Sequence, residues 1–175
     1  MQIFNFNNNL FLNYKINLHM KTFFNYIFFL ILLSNFSYVS QSNDLTRQKE
    51  IEKIVLLKGE KGKIHFYDPN ELVFKTGKLY KLIIKNESDS KHYFTSTLFA
   101  KSIFTRKVQV SLNDKKVAEI KGIINNVEVW PNHQLEWWFV PIKTGVFKDL
   151  YCNVIDTKTN LSHANMGMTG TIIIN

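Results

Sequence analysis

The stretch that decides the fold runs from Tyr151 to Gly170, reads YCNVIDTKTNLSHANMGMTG, and continues into the β-branched run 171–174. Its start predicts a strand that delivers Cys152. The polar middle predicts a loop that returns through His163 and Met168 before a closing strand. Thiolate, imidazole and thioether together suit copper, because soft sulfur stabilises Cu(I) while imidazole serves Cu(II).

A complete site of this kind needs a second imidazole from a distant part of the chain. His92 begins the short β-prone run His92–Phe94, and a strand start is a suitable place for such a ligand. A trigonal site of two histidines and one cysteine, with a long axial methionine, is the arrangement that proteins use for one-electron transfer. The residues therefore predict a mononuclear copper site.

These segments resemble the cupredoxins, the blue type 1 copper proteins that include plastocyanin and azurin. The resemblance covers roughly residues 54–175, with an irregular middle at 98–125. Three parts of the chain carry the resemblance. The segment with the first histidine comprises Leu82–Asn86 and His92–Phe94. The two strands that follow are Val127–Pro131 and Leu135–Pro141. The cysteine strand and its closing Gly-Met-x-Gly turn comprise Gly145–Cys152 and Gly167–Ile174.

The resemblance implies His92, Cys152, His163 and Met168 as the ligands of one type 1 copper. Met166 is the alternative axial ligand, because the axial position shifts by a residue between subgroups of the family. The resemblance also implies that electrons enter near His163, which is expected at the loop surface.

The chain departs from the family pattern in two places. Ten residues separate Cys152 from His163, which is more than in the small plastocyanin- and azurin-like proteins, although copper nitrite reductases have longer loops. Tyr93 also follows His92 where several members place a smaller polar residue that braces the site. The groups that orient the ligands are therefore not predicted by the resemblance.

The rest of the chain reads as short β-strands separated by turn residues. Leu135, Trp137 and Phe139 alternate with residues of the opposite face, which is the two-residue period of a sheet. Only one of Trp137 and Trp138 can then fill the core. Residues 97–105 are expected to hold a helical turn. The fold class predicted is all-β: an antiparallel Greek-key β-sandwich of the cupredoxin type, preceded by a signal segment.

An export signal is predicted near the N-terminus. Met20-Lys21 precedes the apolar run 26–33, and small residues at 40–42 suit a cleavage site. We therefore divide the chain into a leader at 1–42, a polar linker at 43–53 and the cupredoxin-like domain at 54–175. The true start is Met20 if residues 1–19 are an upstream extension. An uncleaved leader acting as a membrane anchor is the alternative.

Composition excludes several functions. The single cysteine rules out an internal disulfide and the binuclear CuA centre, which needs two thiolates. The formal net charge is +8, but the lysines are spread along the chain, so nucleic-acid binding is not expected. No hydrolase triad, phosphate-binding glycine loop or zinc motif is present.

His65 is interpreted as a strand-surface residue, His133 as a turn residue, and His19 lies in the leader.

The sequence thus predicts an exported, periplasmic, monomeric blue-copper protein that carries single electrons between redox partners of the cytochrome or oxidase type, and that is not an enzyme. One alternative is a periplasmic copper carrier or chaperone that meets a copper-delivery partner. The other is a metal-free cupredoxin-like accessory domain that acts as a binding module. Membrane contact is expected only through an uncleaved leader.

Overall fold

The structure is a computed structural model, which describes residues 20, 21, 23, 25–28 and 47–175. The chain divides into two compact units, Met1–Asn43 and Asp44–Asn175. The described residues of the first unit are helical. The predicted cleavage region at 40–42 and most of the apolar run at 26–33 lie outside the described residues. Among the residues described, no helix is long and apolar enough to cross a membrane.

The second unit is built almost entirely of β-strands. Within residues 47–175 the chain forms eleven strands and one short helix: β1 (Ile51–Glu60), β2 (Ile64–Asp68), β3 (Glu71–Phe74), β4 (Tyr80–Asn86), β5 (His92–Thr95), α1 (Thr97–Ala100), β6 (Ile103–Leu112), β7 (Lys115–Ile120), β8 (Asn126–Val129), β9 (Gln134–Pro141), β10 (Gly145–Tyr151) and β11 (Thr169–Ile174).

The strands form two sheets. One has six strands in the order β2-β1-β4-β9-β6-β7, and the other has five in the order β3-β11-β10-β5-β8. Most neighbouring strands are antiparallel, but β1 pairs with β4 and β3 with β11 in parallel. The predicted Greek-key β-sandwich is confirmed, and each of the two parallel pairs lies within a single sheet.

The core lies between the sheets and is dominated by aromatic rings. Burial alternates along the strands, as in β2, where Tyr67 is buried and Phe66 is exposed. Phe99 from α1 packs edge-on against Trp137 and Phe139. Trp137 is 1% exposed, whereas Trp138 lies outside the core with Lys107 Nζ 5.0 Å from its ring centroid. Only one of the two tryptophans therefore fills the core, as predicted.

The segment 98–125, where the resemblance to the cupredoxins is irregular, is built of regular elements. α1 supplies the predicted helical turn, and β6 and β7 form a hairpin. The hairpin turns at Asn113 and Asp114, whose φ angles of 48° and 59° suit the primed turns that match strand twist. At the other end of the domain, β1 begins at Ile51, inside the segment assigned to the linker.

Candidate metal centre

The predicted ligands meet at one end of the five-stranded sheet. His92 is the first residue of β5, and Cys152 follows the last residue of β10. These two strands are antiparallel neighbours, so the start of one lies beside the end of the other. His163 and Met168 come from the segment that links β10 to β11. The topology therefore brings together four residues that span 77 positions of the chain.

Three donor atoms form a compact triangle inside the protein. His92 Nδ1 lies 3.0 Å from His163 Nδ1, and Cys152 Sγ lies 3.8 Å and 3.6 Å from these two nitrogens. The point equidistant from the corners of such a triangle is about 2 Å from each, close to the bonds that a first-row divalent ion makes to imidazole and thiolate. All three side chains are at most 1% exposed, so a metal ion there would be shielded from water.

The loop between Cys152 and β11 is held by backbone hydrogen bonds near its ends. The amide of His163 donates to the carbonyl of Val154 at 2.8 Å, and the amide of Ala164 donates to the carbonyl of Cys152 at 2.8 Å. The amide of Met168 donates to the carbonyl of His163, again at 2.8 Å. The first two bonds join the two ends of the loop, and the third closes the turn between His163 and Met168, so the backbone fixes where the ligands leave the chain.

The two methionines have different surroundings. Met168 is 0% exposed, and its carbonyl accepts a hydrogen bond from the amide of Cys152 at 3.1 Å. Met166 is half-buried, and its Sδ accepts a hydrogen bond from Thr159 Oγ1 at 3.4 Å. These surroundings favour Met168 as the axial sulfur, because its side chain is fully buried and Met166 is already engaged elsewhere.

His92 is braced by polar residues that the sequence did not identify. Its Nε2 lies 2.7 Å from Ser88 Oγ. Asn86 accepts hydrogen bonds from the amide and hydroxyl of Ser88, and donates to the carbonyl of Val129 at 2.8 Å. A hydrogen bond from Nε2 fixes the tautomer that leaves Nδ1 with a free lone pair. Ser88 and Asn86 thus supply the bracing that Tyr93 does not.

Tyr93 instead acts on the cysteine through its backbone. Its amide donates a hydrogen bond to Cys152 Sγ at 3.3 Å. Burial raises the pKa of the Cys152 thiol, and the hydrogen bonds from Tyr93 and Val154 oppose that rise. Binding of a metal ion would therefore release the thiol proton, and the Tyr93 amide would remain as a donor to the thiolate.

Both donor histidines are neutral in the folded protein at pH 7. Burial, and then the neighbouring rings of His163 and His65, lower the pKa of His92 to about 3. Burial and then His65 lower the pKa of His163 to about 4. Neutral imidazoles have the free lone pair that a metal needs, so no proton competes for these nitrogens at neutral pH.

The interpretation of His65 as a strand-surface residue is wrong. His65 is 0% exposed and stacks on His163, with ring centroids 3.7 Å apart and the planes inclined by 21°. The imidazoles of His65, His92 and His163 each place a nitrogen within 4.8 Å of the others. The run Ile64-His65-Phe66-Tyr67 has apolar residues on both faces, so alternation did not reveal which face is inside.

His163 is also less accessible than its predicted place at the loop surface. It is 1% exposed and lies among the residues that line a cleft of about 240 Å³. The cleft is lined by apolar side chains, by two lysines and by two aspartates, among them Lys61, Asp89, Lys91, Trp130, Ile155 and Asp156. His133, by contrast, is exposed in a turn, as expected, with its Nδ1 2.8 Å from the carbonyl of Pro131.

The donor set fits copper better than other common metals. Two imidazoles, one thiolate and a buried thioether form the trigonal set with an axial sulfur that is typical of blue-copper sites. Structural zinc sites use four strong ligands, and magnesium or calcium sites use oxygen ligands. The buried site of two histidines, a cysteine and a methionine therefore supports copper binding.

Comparison with known proteins shows the fold. Neither a protein-family model nor a curated protein sequence matches the chain. Solved structures are similar to it, and three of them illustrate the likeness. The multicopper oxidase from Campylobacter jejuni is 18% identical over 73% of this chain, with a TM-score of 0.50. The copper nitrite reductase from Nitrosomonas europaea is 10% identical over 77%, with a TM-score of 0.51. The copper-containing nitrite reductase from Thermus scotoductus is 12% identical over 75%, also with a TM-score of 0.51.

These similarities show that the chain has the cupredoxin fold. The chain spans 30%, 52% and 32% of the three proteins, in the order given. The similarity therefore concerns one part of each of those proteins.

Proposed function

We propose that this protein is a mononuclear type 1 copper protein that carries single electrons between redox partners, and that it is not itself an enzyme. The observation that carries the proposal is the buried triangle of His92 Nδ1, His163 Nδ1 and Cys152 Sγ, with sides of 3.0, 3.6 and 3.8 Å. Met168 is proposed as the weak axial sulfur. When bound, copper supplies a one-electron couple whose potential depends on the axial ligand.

The residues around the site keep its geometry unchanged between oxidation states. Ser88 orients His92, the Tyr93 amide donates to Cys152 Sγ, and backbone bonds fix the ends of the loop that carries His163. Burial of the donors excludes water that would otherwise reorganise when the charge changes. A rigid, dry site lowers the cost of each electron transfer, and outer-sphere transfer needs no bond to form or break.

We propose that the partner, a redox protein of the cytochrome or oxidase type, docks at the cleft that leads to His163. Trp130 and Ile155 at this cleft are 61% and 53% exposed. Lys61 and Lys91 flank them, and the protein carries a net charge of +8. An apolar patch flanked by lysines suits a partner with an acidic rim around an apolar contact.

Export to the periplasm remains part of the proposal and is supported by the sequence of the leader. Cell fractionation tests it: the mature protein should be released with the periplasmic contents. Recovery in the membrane fraction would indicate an uncleaved leader, and recovery with cytoplasmic proteins would refute export.

A copper carrier is the second candidate function, because the cleft gives a route from solvent to His163. A carrier must release its metal, whereas an electron carrier must retain it. Incubating the reduced, copper-loaded protein with a Cu(I) chelator of modest affinity separates the two. Rapid loss of copper supports a carrier that meets a copper-delivery partner, and retention supports the electron carrier.

The deciding experiment is a titration of the purified protein with Cu(II), followed by visible absorption. An intense blue band at one copper per chain is expected, and it should vanish in Cys152→Ala because thiolate-to-copper charge transfer produces it. His133→Ala, at an exposed histidine, is the matched control and should stay blue. A wild-type protein that remains colourless, with an inert thiol, would refute the proposal and favour the metal-free binding module.

A further inference from the structure

We propose that His65, anchored by Asp156, is a positioning residue that fixes the imidazole plane of His163 by stacking on it. It thereby slows the release of the metal ion. This inference rests on the proposed copper site, since it concerns how firmly one of its ligands is held. His65 would touch neither the metal nor a redox partner, and would act only through His163.

The orientation of His65 separates a positioning role from a ligand role. Its ring lies nearly parallel to that of His163, with centroids 3.7 Å apart and a 21° inclination. It therefore presents its face to that ring, whereas a ligand must direct a nitrogen lone pair at the metal in its own ring plane. Its Nε2 is 3.4 Å from Asp156 Oδ2. Its Nδ1 is buried without a partner and faces Gly59, where a Cβ atom would come within 2.5 Å.

Asp156 is the residue that anchors His65, through the ring nitrogen Nε2. The carboxylate is 2% exposed. It accepts hydrogen bonds at 2.8 Å from the amides of Gly62, Lys158 and Thr159. Gly62 belongs to the turn between β1 and β2, whereas the other two amides belong to the loop after Cys152. One carboxylate thus links that loop to the β1–β2 turn and to His65 in β2.

The length of the loop explains why such a support is needed. Ten residues separate Cys152 from His163, and a longer connection has more conformations to restrict. In a short loop the backbone alone limits the movement of the histidine. Here the ring of His65 supplies a restraint from outside the loop, and Asp156 links the loop itself to His65 and to Gly62.

The test compares His65→Ala, which removes the ring, with His65→Phe, which keeps a stacked ring but loses the link to Asp156. Copper-loaded proteins are mixed with excess chelator, and the decay of the visible band gives the release rate. We expect His65→Ala to release copper about 10–100-fold faster than wild type, and His65→Phe to stay much closer to wild type. The exposed His133→Ala variant serves as the matched control.

Two results would overturn the inference: release from His65→Ala at the wild-type rate, or equally fast release from both variants. The second result would assign the effect to a nitrogen of His65. The shape of the visible spectrum adds a check, because loss of a direct ligand would change the band itself, whereas loss of a support changes mainly the release rate.

A measurement on the metal-free protein keeps this inference separate from the proposed function. In ¹⁵N-labelled protein, the ring resonances of His163 should be single and narrow in wild type and in His65→Phe. They should be broadened or doubled in His65→Ala, since the ring can then reorient. Narrow wild-type-like signals in His65→Ala would refute the positioning role. If wild type fails to turn blue, the copper proposal fails and this measurement still decides the role of His65. Should His65→Ala not fold, Asp156→Asn replaces it, with broader His163 signals expected than in His65→Phe.

Discussion

Replacing Met168 by leucine distinguishes the two candidate axial sulfurs. Met168 is 0% exposed, and leucine has a similar volume, so the substitution should cost less than about 1.5 kcal/mol of unfolding free energy. Met168→Ala would lower the free energy of unfolding by about 2–5 kcal/mol through the cavity it leaves. A change in ligation could then not be separated from a change in packing. Met166→Leu is the matched control: this side chain is half-buried, and its Sδ contacts Thr159 Oγ1.

The expected effect is on the reduction potential. The Cys152 thiolate, the strong soft ligand, is unchanged in this variant. The weak axial thioether would add electron density that the more highly charged Cu(II) needs more than Cu(I) does, so its loss should favour the reduced state. For a one-electron couple, each tenfold change in the ratio of the two affinities is worth about 59 mV. We expect Met168→Leu to raise the potential by at least about 59 mV, equivalent to one such tenfold change. Met166→Leu should leave the potential close to that of wild type.

The assay is a redox titration with mediators, in which the blue band reports the oxidised fraction, together with urea unfolding of each metal-free protein. A raised potential in Met166→Leu with an unchanged potential in Met168→Leu would assign the axial position to Met166. If neither potential moves, no methionine sulfur acts as an axial ligand. If both variants unfold at much lower urea, the substitutions have disturbed packing and the potentials are compared in Met168→Gln instead.

Three further predictions follow from the site and its surroundings. In the metal-free protein the pKa values of His92 and His163 lie at about 3 and 4, below the unfolded value of 6.5. The unfolded state therefore binds more protons than the folded state between these pKa values. The free energy of unfolding should fall from pH 6.5 towards pH 4 by up to about 1.4 kcal/mol per pH unit for each histidine. Urea midpoints that do not change over this range would contradict the lowered pKa values of His92 and His163. Thermal unfolding should show that Gly59→Ala destabilises the protein more than Gly122→Ala does. Both glycines have a positive φ, but of the two only Gly59 has neighbouring atoms 2.5 Å from where a Cβ would lie. Electron transfer with an acidic redox protein should slow as salt is raised above about 0.1 M, where the Debye length is about 10 Å; stopped-flow rates that are independent of salt would exclude the lysine-flanked docking surface.

The fold was largely predictable because it depends on local patterns. Short β-prone runs and turn residues predicted the strands, since alternation of apolar and polar residues follows directly from strand geometry. The alternation around Trp137 and Trp138 predicted that only one of the two rings is buried. The β-prone runs at 108–112 and 117–120 were among the predicted strands, and they pair as the hairpin of β6 and β7.

The chemical identity of the donors was also present in the sequence, in Cys152, His163, Met168 and the distant His92. What only the tertiary structure decided is how those donors are held. Ser88 and Asp156 lie only a few residues before the ligands that they support, His92 and His163, whereas His65 comes from β2, which is distant along the chain. A histidine in a β-strand has the same local signal whether it faces solvent or a buried site, because the pattern fixes alternation but not which face meets the other sheet. That choice depends on long-range packing, which local sequence does not encode.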